Sequence, residues 1–316
     1  MRYLTVQSST LTLASEPNGP LSLNQNPNFS TESLQLKPLT KDGLQTLVGW
    51  AREEGWNPGD HDYEAFWAAD PEGYVGFYHK GELIAGGAVV SYGGAFGFMG
   101  LFIVHPNFRG SGIGESLWHQ RRDLLLSRLK PRAAIGMDGV VAMQPFYEKG
   151  GFSIAFRDER YELMGKPFDQ SPDLEIELIS EFSLDSIFTF DAQCLGYDRR
   201  PFLKSWLTLP ESHGFLVKEK ESILGYAVIR KVGEGHKIGP LFADNSSIAE
   251  ELLKACLNAV PDEKVYFDVA VNHPKALALA KKYGGKYVFE CARMYHGNPP
   301  ATDWKKVFGI TTFELG

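Results

Sequence analysis

The chain has 316 residues, 43% of them hydrophobic and 22% charged, with a formal net charge of −7. That length suggests two domains of ordinary size, and the composition is that of a globular protein. The acidic balance argues against a nucleic-acid backbone as partner, and no apolar run is long enough to span a membrane.

The three cysteines, Cys194, Cys256 and Cys291, are far apart and odd in number. They suggest neither a disulfide framework nor a zinc site, so no metal is expected and a cytoplasmic location is. Residues 1–33 are rich in Ser, Thr, Asn and Pro, with Arg2 as the one basic residue and no apolar signal core. A flexible tail is the expectation there.

Ser33 to Pro38 reads as a first strand. Thr40 is a good helix cap before Leu44, Leu47, Val48 and Ala51 at helical spacing. Gly55, Pro58 and Gly59 then force a loop, and a short helix runs from Asp62 to Ala69. Tyr74 to His79 and Glu82 to Tyr92 form a predicted hairpin around Lys80-Gly81. A strand over Phe96 to Val104 leads through His105-Pro106-Asn107 into Arg109-Gly110-Ser111-Gly112-Ile113-Gly114, and a helix covers Glu115 to Leu129. A strand over Ala133 to Met137, a helix within Val140 to Phe152, and strands within Ser153 to Leu163 complete the first half. Lys166 to Asp173, with two prolines, is the predicted linker between domains at 34–165 and 174–316.

The glycine-rich turn between strand and helix suits a phosphate. N–H groups at a helix start have no internal partner, and glycines admit a ligand closely. The turn has neither the lysine of a P-loop nor the G-x-G-x-x-G spacing. It reads R-x-x-G-x-G on Arg109, Gly112 and Gly114. Downstream, VVAMQPFYEKGGF (Val140 to Phe152) places Tyr147 four residues before Gly151.

These two motifs in this order resemble the GNAT superfamily of acyl-CoA-dependent N-acyltransferases. The resemblance implies an α/β (α+β) fold with a mixed, mostly antiparallel sheet flanked by helices. It implies acetyl-CoA as co-substrate, its pyrophosphate held by Arg109, Gly110, Ser111, Gly112, Ile113 and Gly114. Its pantetheine and thioester would align along Phe102, Ile103 and Val104. It makes Tyr147 the general acid for the leaving thiolate; a core tyrosine on an amphipathic helix is the plain alternative. Asp138, at a strand end on the cofactor side, is the candidate base, or a cap of the next helix; Glu54, His61, Asp62 and His105 are weaker candidates.

The second half repeats the first. Gly284-Gly285 and Tyr295 match Gly150-Gly151 and Tyr161, and Asn272 falls where Asp138 does. Asp244, Ser247 and Ala249 replace Arg109, Gly112 and Gly114, and Lys281 stands for Tyr147. A carboxylate against a pyrophosphate is repulsive. The whole chain therefore resembles tandem GNAT proteins with an intact first domain and a degenerate second. The EGWNPG loop (Glu54 to Gly59) and the closing Phe313-Glu314-Leu315-Gly316 share that likeness.

Glu54, Trp56 and Asn57 are the expected acceptor-binding residues, with Arg199 of the second half as a fork for an acceptor carboxylate. Trp50, Phe66 and Trp67 join Trp56 either as an aromatic wall or as core. The expected activity is acetyl transfer to a primary amine of a small metabolite, by a monomer or homodimer. An acyl-CoA-binding sensor and a protein N-terminal acetyltransferase are the alternatives.

Overall fold

The structure is a computed structural model that describes residues 34–316; the expected tail, 1–33, lies outside the described residues. The first half runs β1 (Lys37–Pro38), α1 (Lys41–Glu53), α2 (Asp62–Ala69), β2 (Tyr74–His79), β3 (Glu82–Ala88), β4 (Val90–Tyr92), β5 (Phe96–Phe98), β6 (Ile103–Val104), α3 (Ile113–Arg128), β7 (Ile135–Val140), α4 (Gln144–Lys149) and β8 (Ser153–Met164). The second runs β9 (Glu177–Leu178), α5 (Leu184–Leu195), α6 (Arg200–Trp206), β10 (Ser212–Glu219), β11 (Ser222–Lys231), β12 (His236–Ala243), α7 (Ser246–Asn258), β13 (Lys264–Ala270), α8 (Pro274–Lys282), β14 (Lys286–His296) and β15 (Val307–Gly309). No described helix is long and apolar enough to cross a membrane.

Local chemistry sets several boundaries. The Thr40 hydroxyl accepts the Gly43 N–H at 3.1 Å and starts α1, whose Leu44, Leu47, Val48 and Ala51 are all buried. Lys80 and Gly81 both have positive φ, the backbone of a tight two-residue hairpin turn, and join β2 to β3.

The strand expected over Phe96 to Val104 is broken. β5 pairs with β4 and β7, whereas β6 pairs with β3 in a separate sheet. Between them Leu101 has φ +49°. The Gly100 carbonyl is drawn to the Ala88 N–H at 2.8 Å. A side chain on Gly100 would meet the Glu314 carbonyl oxygen at 1.8 Å, so only glycine fits this close approach. The chain splays here because its hydrogen-bond partners lie on two different sheets.

A second difference shapes the whole molecule. Ser153 to Met164 forms one long strand, β8, where the sequence suggested more than one. The neighbour that a second strand would supply comes from the other half. β14 lies between β7 and β8, and β8 lies between β14 and β13. The path β4-β5-β7-β14-β8-β13-β12-β11-β10-β9, with β15 beside β12, is a single 11-stranded sheet through both halves. A four-stranded sheet, β1-β2-β3-β6, completes the first half.

Two related ion pairs lie across this seam. Arg293 of β14 binds Asp138 of β7 through both nitrogens, at 2.6 and 2.9 Å. Arg160 of β8 binds Asp268 of β13 in the same way, at 2.6 and 2.8 Å. The repeat equivalent of Asp138 is therefore Asp268, not Asn272. The helix ends correct the other match. Phe152 N–H bonds to Tyr147 O, and Gly285 N–H bonds to Ala280 O, so Ala280 rather than Lys281 stands where Tyr147 does.

Asp158 of β8 faces Cys291 of β14, and its carboxyl lies near Asp138; the donor atoms of the three are within 4.8 Å of one another. No N–H or O–H donor among the described residues reaches either Asp158 oxygen. Burial, and then the charge of Asp138, push Asp158 well above the ordinary carboxylate range. Burial raises Asp138 as well, but Arg293 opposes that shift and Asp158 has no such cation bound to it, so Asp158 holds the proton and can give it to Asp138 as a hydrogen bond.

Two outcomes follow. Arg293→Met should lower unfolding stability by about 3–5 kcal/mol, because it strands Asp138 in the sheet without its cation. Urea unfolding measures this, and a loss below about 1 kcal/mol would mean the pair is dispensable. Asp158 works in the opposite sense with pH. Its raised pKa lets the folded state keep a proton that the unfolded chain releases near pH 4, so its contribution is full below that pH and lost as pH rises. Asp158→Asn mimics the protonated acid. Its stability relative to the parent should improve as pH rises above about 4, by up to about 1.4 kcal/mol per pH unit. A pH-independent difference would refute the buried proton.

Candidate functional site

A cavity of about 760 Å³ opens between the two halves. Its first-half wall is Met99 to Val104 with Asp138 and Tyr147; its second-half wall includes Tyr266, Phe289, Phe313 and Glu314. The loop with Glu54, Trp56 and Asn57 covers one side.

At the outer end stands the glycine-rich turn. Gly110 and Gly112 have φ +75° and +81°, and Gly112 caps α3 from the left-handed region. Arg109 N–H bonds to Pro106 O and Ser116 N–H to Gly112 O. Between them, the N–H groups from Gly110 to Glu115 meet no acceptor among the described residues. Ser111 turns its hydroxyl back to Phe108 O at 2.6 Å, and a Cβ on Gly110 would meet nothing within 4 Å, whereas one on Gly114 would touch Val104 and Phe102 at 3.6 and 3.7 Å. This is an anion-receptive helix start, and its residues fit a pyrophosphate.

Arg109 itself is placed differently from a free phosphate clamp. Its Nε donates to Val104 O at 2.9 Å, and its Nη2 binds the Glu54 carboxylate. Arg109 lines the cavity, whereas Gly110 to Gly114 lie outside its wall. The backbone therefore offers the unopposed positive potential of the turn, and Arg109 offers a charge that Glu54 already shares.

Inward lies the splay. The N–H groups of Leu101 and Phe102 have no acceptor among the described residues, and both residues line the cavity. Ile103 and Val104 are held by β3. Behind the splay, Arg121 of α3 is fully buried. Its Nη2 donates to Ala88 O at 2.6 Å and Gly100 O at 2.7 Å, while Nε and Nη1 find no partner. Burial lowers Arg121 to about 9, so it remains a cation at neutral pH.

Tyr147 lies in the same wall, packed at 4.8 Å against Trp118. Burial pushes its phenol up to about 12, with Arg121 pulling the other way. A phenol this weak keeps its proton at neutral pH. Against a thiol of pKa about 8.5 it is a hydrogen-bond donor rather than a source of a fully transferred proton.

The other expected residues divide. Trp56 and Asn57 line the cavity, but the Asn57 amide is bonded at both ends to the backbone of Glu234, at 2.8 and 3.1 Å. That amide ties the halves together. Asp138 is in the wall, but Arg293 holds both its oxygens, which corrects the expectation of a free base. Asp62 is locked to Arg230 at 2.8 and 3.0 Å, and His105 caps the short turn before Arg109. Arg199 is not at the cavity. Its guanidinium is saturated by Asp191, Thr311 and the Gly316 carbonyl, so it has no fork left for an acceptor carboxylate. Trp50, Phe66 and Trp67 pack against His105, Trp206 and Tyr74 respectively.

The second half closes both features that the first leaves open. The Asn245 side chain accepts the N–H groups of Ser247 and Ile248 at 3.0 and 3.1 Å, filling the α7 start from within. Asp244 is paired with Lys306 at 2.8 Å. β15 pairs with β12 at Leu241 and Phe242, where the first half has its splay.

Comparison with known proteins agrees with this geometry. Residues 41–152 match the acetyltransferase (GNAT) family, and residues 187–309 match an acetyltransferase (GNAT) domain. The chain is 29% identical over 281 residues to the holothin acyltransferase of a Pseudoalteromonas species, covering 89% of this chain and 94% of that protein. A solved structure from Pyrococcus horikoshii, assigned to the acetyltransferases, shares the fold with a TM-score of 0.78 at 20% identity, over 93% of this chain and 99% of that one. A tandem GNAT protein from the clavulanic acid biosynthesis pathway aligns with a TM-score of 0.60 at 14% identity, over 85% and 100%. The chain belongs to the GNAT acyltransferases, as a tandem protein of two GNAT domains.

Proposed function

We propose that the chain is an N-acyltransferase whose first half binds acetyl-CoA and passes the acetyl group to a primary amine of a small metabolite. The carrying observation is that the splay and Tyr147 share one cavity, with the unfilled N–H turn at its outer end. Acetyl-CoA supplies an activated acyl carbon and a thiolate leaving group. The N–H groups from Gly110 to Glu115 receive the pyrophosphate, aided by Arg109 once Glu54 yields it. The Leu101 and Phe102 N–H groups extend along the pantetheine and meet the charge that gathers on the acyl oxygen. Tyr147 donates a hydrogen bond to the departing sulfur.

The acceptor enters from the second-half side. Tyr266, Phe289 and Phe313 wall that side, and the Asn57–Glu234 bonds close it at the rim. Such an enclosed approach favours a small molecule over a polypeptide N-terminus. The second half supports the first and takes no acyl-CoA of its own, because Asn245 and β15 already occupy the equivalent groups. The similarity to a holothin acyltransferase supports acyl transfer as the reaction.

Calorimetry with acetyl-CoA and a CoA-release assay over a panel of small amines test this reading. Arg109→Glu, which sets a second carboxylate beside Glu54, should weaken acetyl-CoA binding at least tenfold. Tyr147→Phe should lower kcat by about 10²-fold with acetyl-CoA affinity little changed. Unchanged affinity in the first variant, or no amine-dependent CoA release by the parent protein, would overturn the assignment.

A further inference from the structure

The cavity wall carries the carboxylates of Glu54, Asp138, Glu234 and Glu314. Glu54 is paired with Arg109, Asp138 with Arg293, and Glu234 is exposed at the rim. Glu314 differs from all three. It is 5% exposed, and no lysine, arginine or histidine nitrogen among the described residues lies within 4.0 Å of its carboxylate. Its one hydrogen-bond donor is the Thr312 hydroxyl, to Oε2.

A buried carboxylate with one neutral donor is costly unless something cationic completes it. Its backbone is fixed as though that position mattered. Gly316 N–H bonds to Thr312 O at 3.1 Å, Tyr92 donates to Leu315 O at 2.8 Å, and Arg199 donates to Gly316 O at 3.0 Å. The Glu314 carbonyl rests on Gly100, next to the splay that would hold the thioester. The charges of Lys237 and Arg160 reach Glu314, but neither makes an ion pair or hydrogen bond with its carboxylate, and the Arg160 guanidinium is engaged elsewhere. It is spent on Asp268 and Trp56 O, and lies against the rings of Phe289 and Phe313. Lys237 donates to Asn57 O.

We infer that Glu314, carried by the second half into the first half's site, binds the acceptor as an ammonium ion. The acceptor class is a small primary amine with an apolar or aromatic body, which Trp56, Phe289 and Phe313 would flank. This rests on the acyl-transfer reading above and specifies its acceptor side. The proton balance is direct. The ammonium gives one proton to the Glu314 carboxylate, leaving a neutral amine. The amine nitrogen forms the C–N bond to the acyl carbon as the C–S bond breaks and the electron pair leaves on sulfur. The nitrogen's next proton neutralises the thiolate, and Glu314 returns its own proton to water.

Benzylamine, phenethylamine and tyramine are the probes, titrated by calorimetry into the protein saturated with CoA and assayed as acceptors with acetyl-CoA. The parent should bind at least one of them. Glu314→Gln keeps the shape and the Thr312 contact. It should weaken amine binding, or raise the amine KM, at least tenfold, with acetyl-CoA affinity within twofold. A purely structural carboxylate would not separate the two ligands in this way. If Glu314→Gln fails to fold, Glu314→Asp keeps the charge but draws it back by one methylene, and amine binding should fall at least threefold.

Amine affinity and KM unchanged in these variants would overturn the role of Glu314 while acyl transfer stands. A parent that binds acetyl-CoA but none of the three amines would overturn the acceptor class. A parent that does not bind acetyl-CoA would overturn the underlying reading instead.

Discussion

The exchange of β8 and β14 is the constraint on which the rest of this structure depends. Each long strand finds its neighbours on both sides only by entering the other half's sheet. Neither half could satisfy its backbone hydrogen bonds alone without exposing an edge or recruiting another strand. The paired ions Asp138–Arg293 and Arg160–Asp268 then fix the register. A slip of one residue would turn each guanidinium to the opposite face of the sheet and strand its carboxylate. Such pairs are weak as net stabilisers, because desolvation offsets their attraction, but they make wrong pairings expensive. The cavity inherits its precision from them, since Asp138, Arg160 and Cys291 belong both to the seam and to its wall.

One fold used twice has produced one open cleft and one closed. The closure is made of ordinary backbone and side-chain hydrogen bonds. β15 supplies the strand that a ligand would imitate, and Asn245 supplies the acceptor that a phosphate would imitate. The first half leaves the same groups unmet at Leu101, Phe102 and the Gly110 turn. Unmet N–H groups are unfavourable in a folded protein unless water or a ligand meets them. The chain from β15 onward joins the two situations, because β15 closes the second half's cleft and the residues after it lay Glu314 beside the first half's splay.

Much of this was legible in the amino-acid order, and the misses have physical causes. Thr40, Lys80-Gly81 and the Gly112 turn are local signals, and local structure followed them. The tandem GNAT architecture followed from two motifs and an imperfect repeat. The strand exchange was not legible, because an alternating run records which face is buried and not whose strand lies next to it. The repeat offset misled at Asp138 for a related reason, since α8 is longer than α4 and shifts the register between strand and glycines. Arg199 was expected as a ligand fork, but Asp191 on the preceding helix, Thr311 and the Gly316 carbonyl share its guanidinium. Arg121 did leave a signal. It sits on the face of α3 shared by Ile113, Leu117, Trp118 and Leu125, where helical spacing calls for an apolar side chain.

That buried arginine bears on how the cleft works. Its guanidinium has no carboxylate partner, keeps two nitrogens unmet, and remains charged at neutral pH. A fold built for stability alone would have little use for such a charge. Its Nη2 holds the Gly100 carbonyl, which keeps the splay open, and its field reaches Tyr147. On the proposed reading, negative charge gathers on the acyl oxygen and the departing sulfur in front of it. A cation behind the splay, too deep to be neutralised by solvent ions, would favour that charge without moving. The weak acidity of Tyr147 fits the same arrangement. A departing thiolate, whose thiol has a pKa of about 8.5, cannot take the proton of a phenol near 12, yet that phenol can donate a hydrogen bond throughout the reaction. The positive potential of Arg121 strengthens that donation, so the two residues act on the same developing charge from different depths.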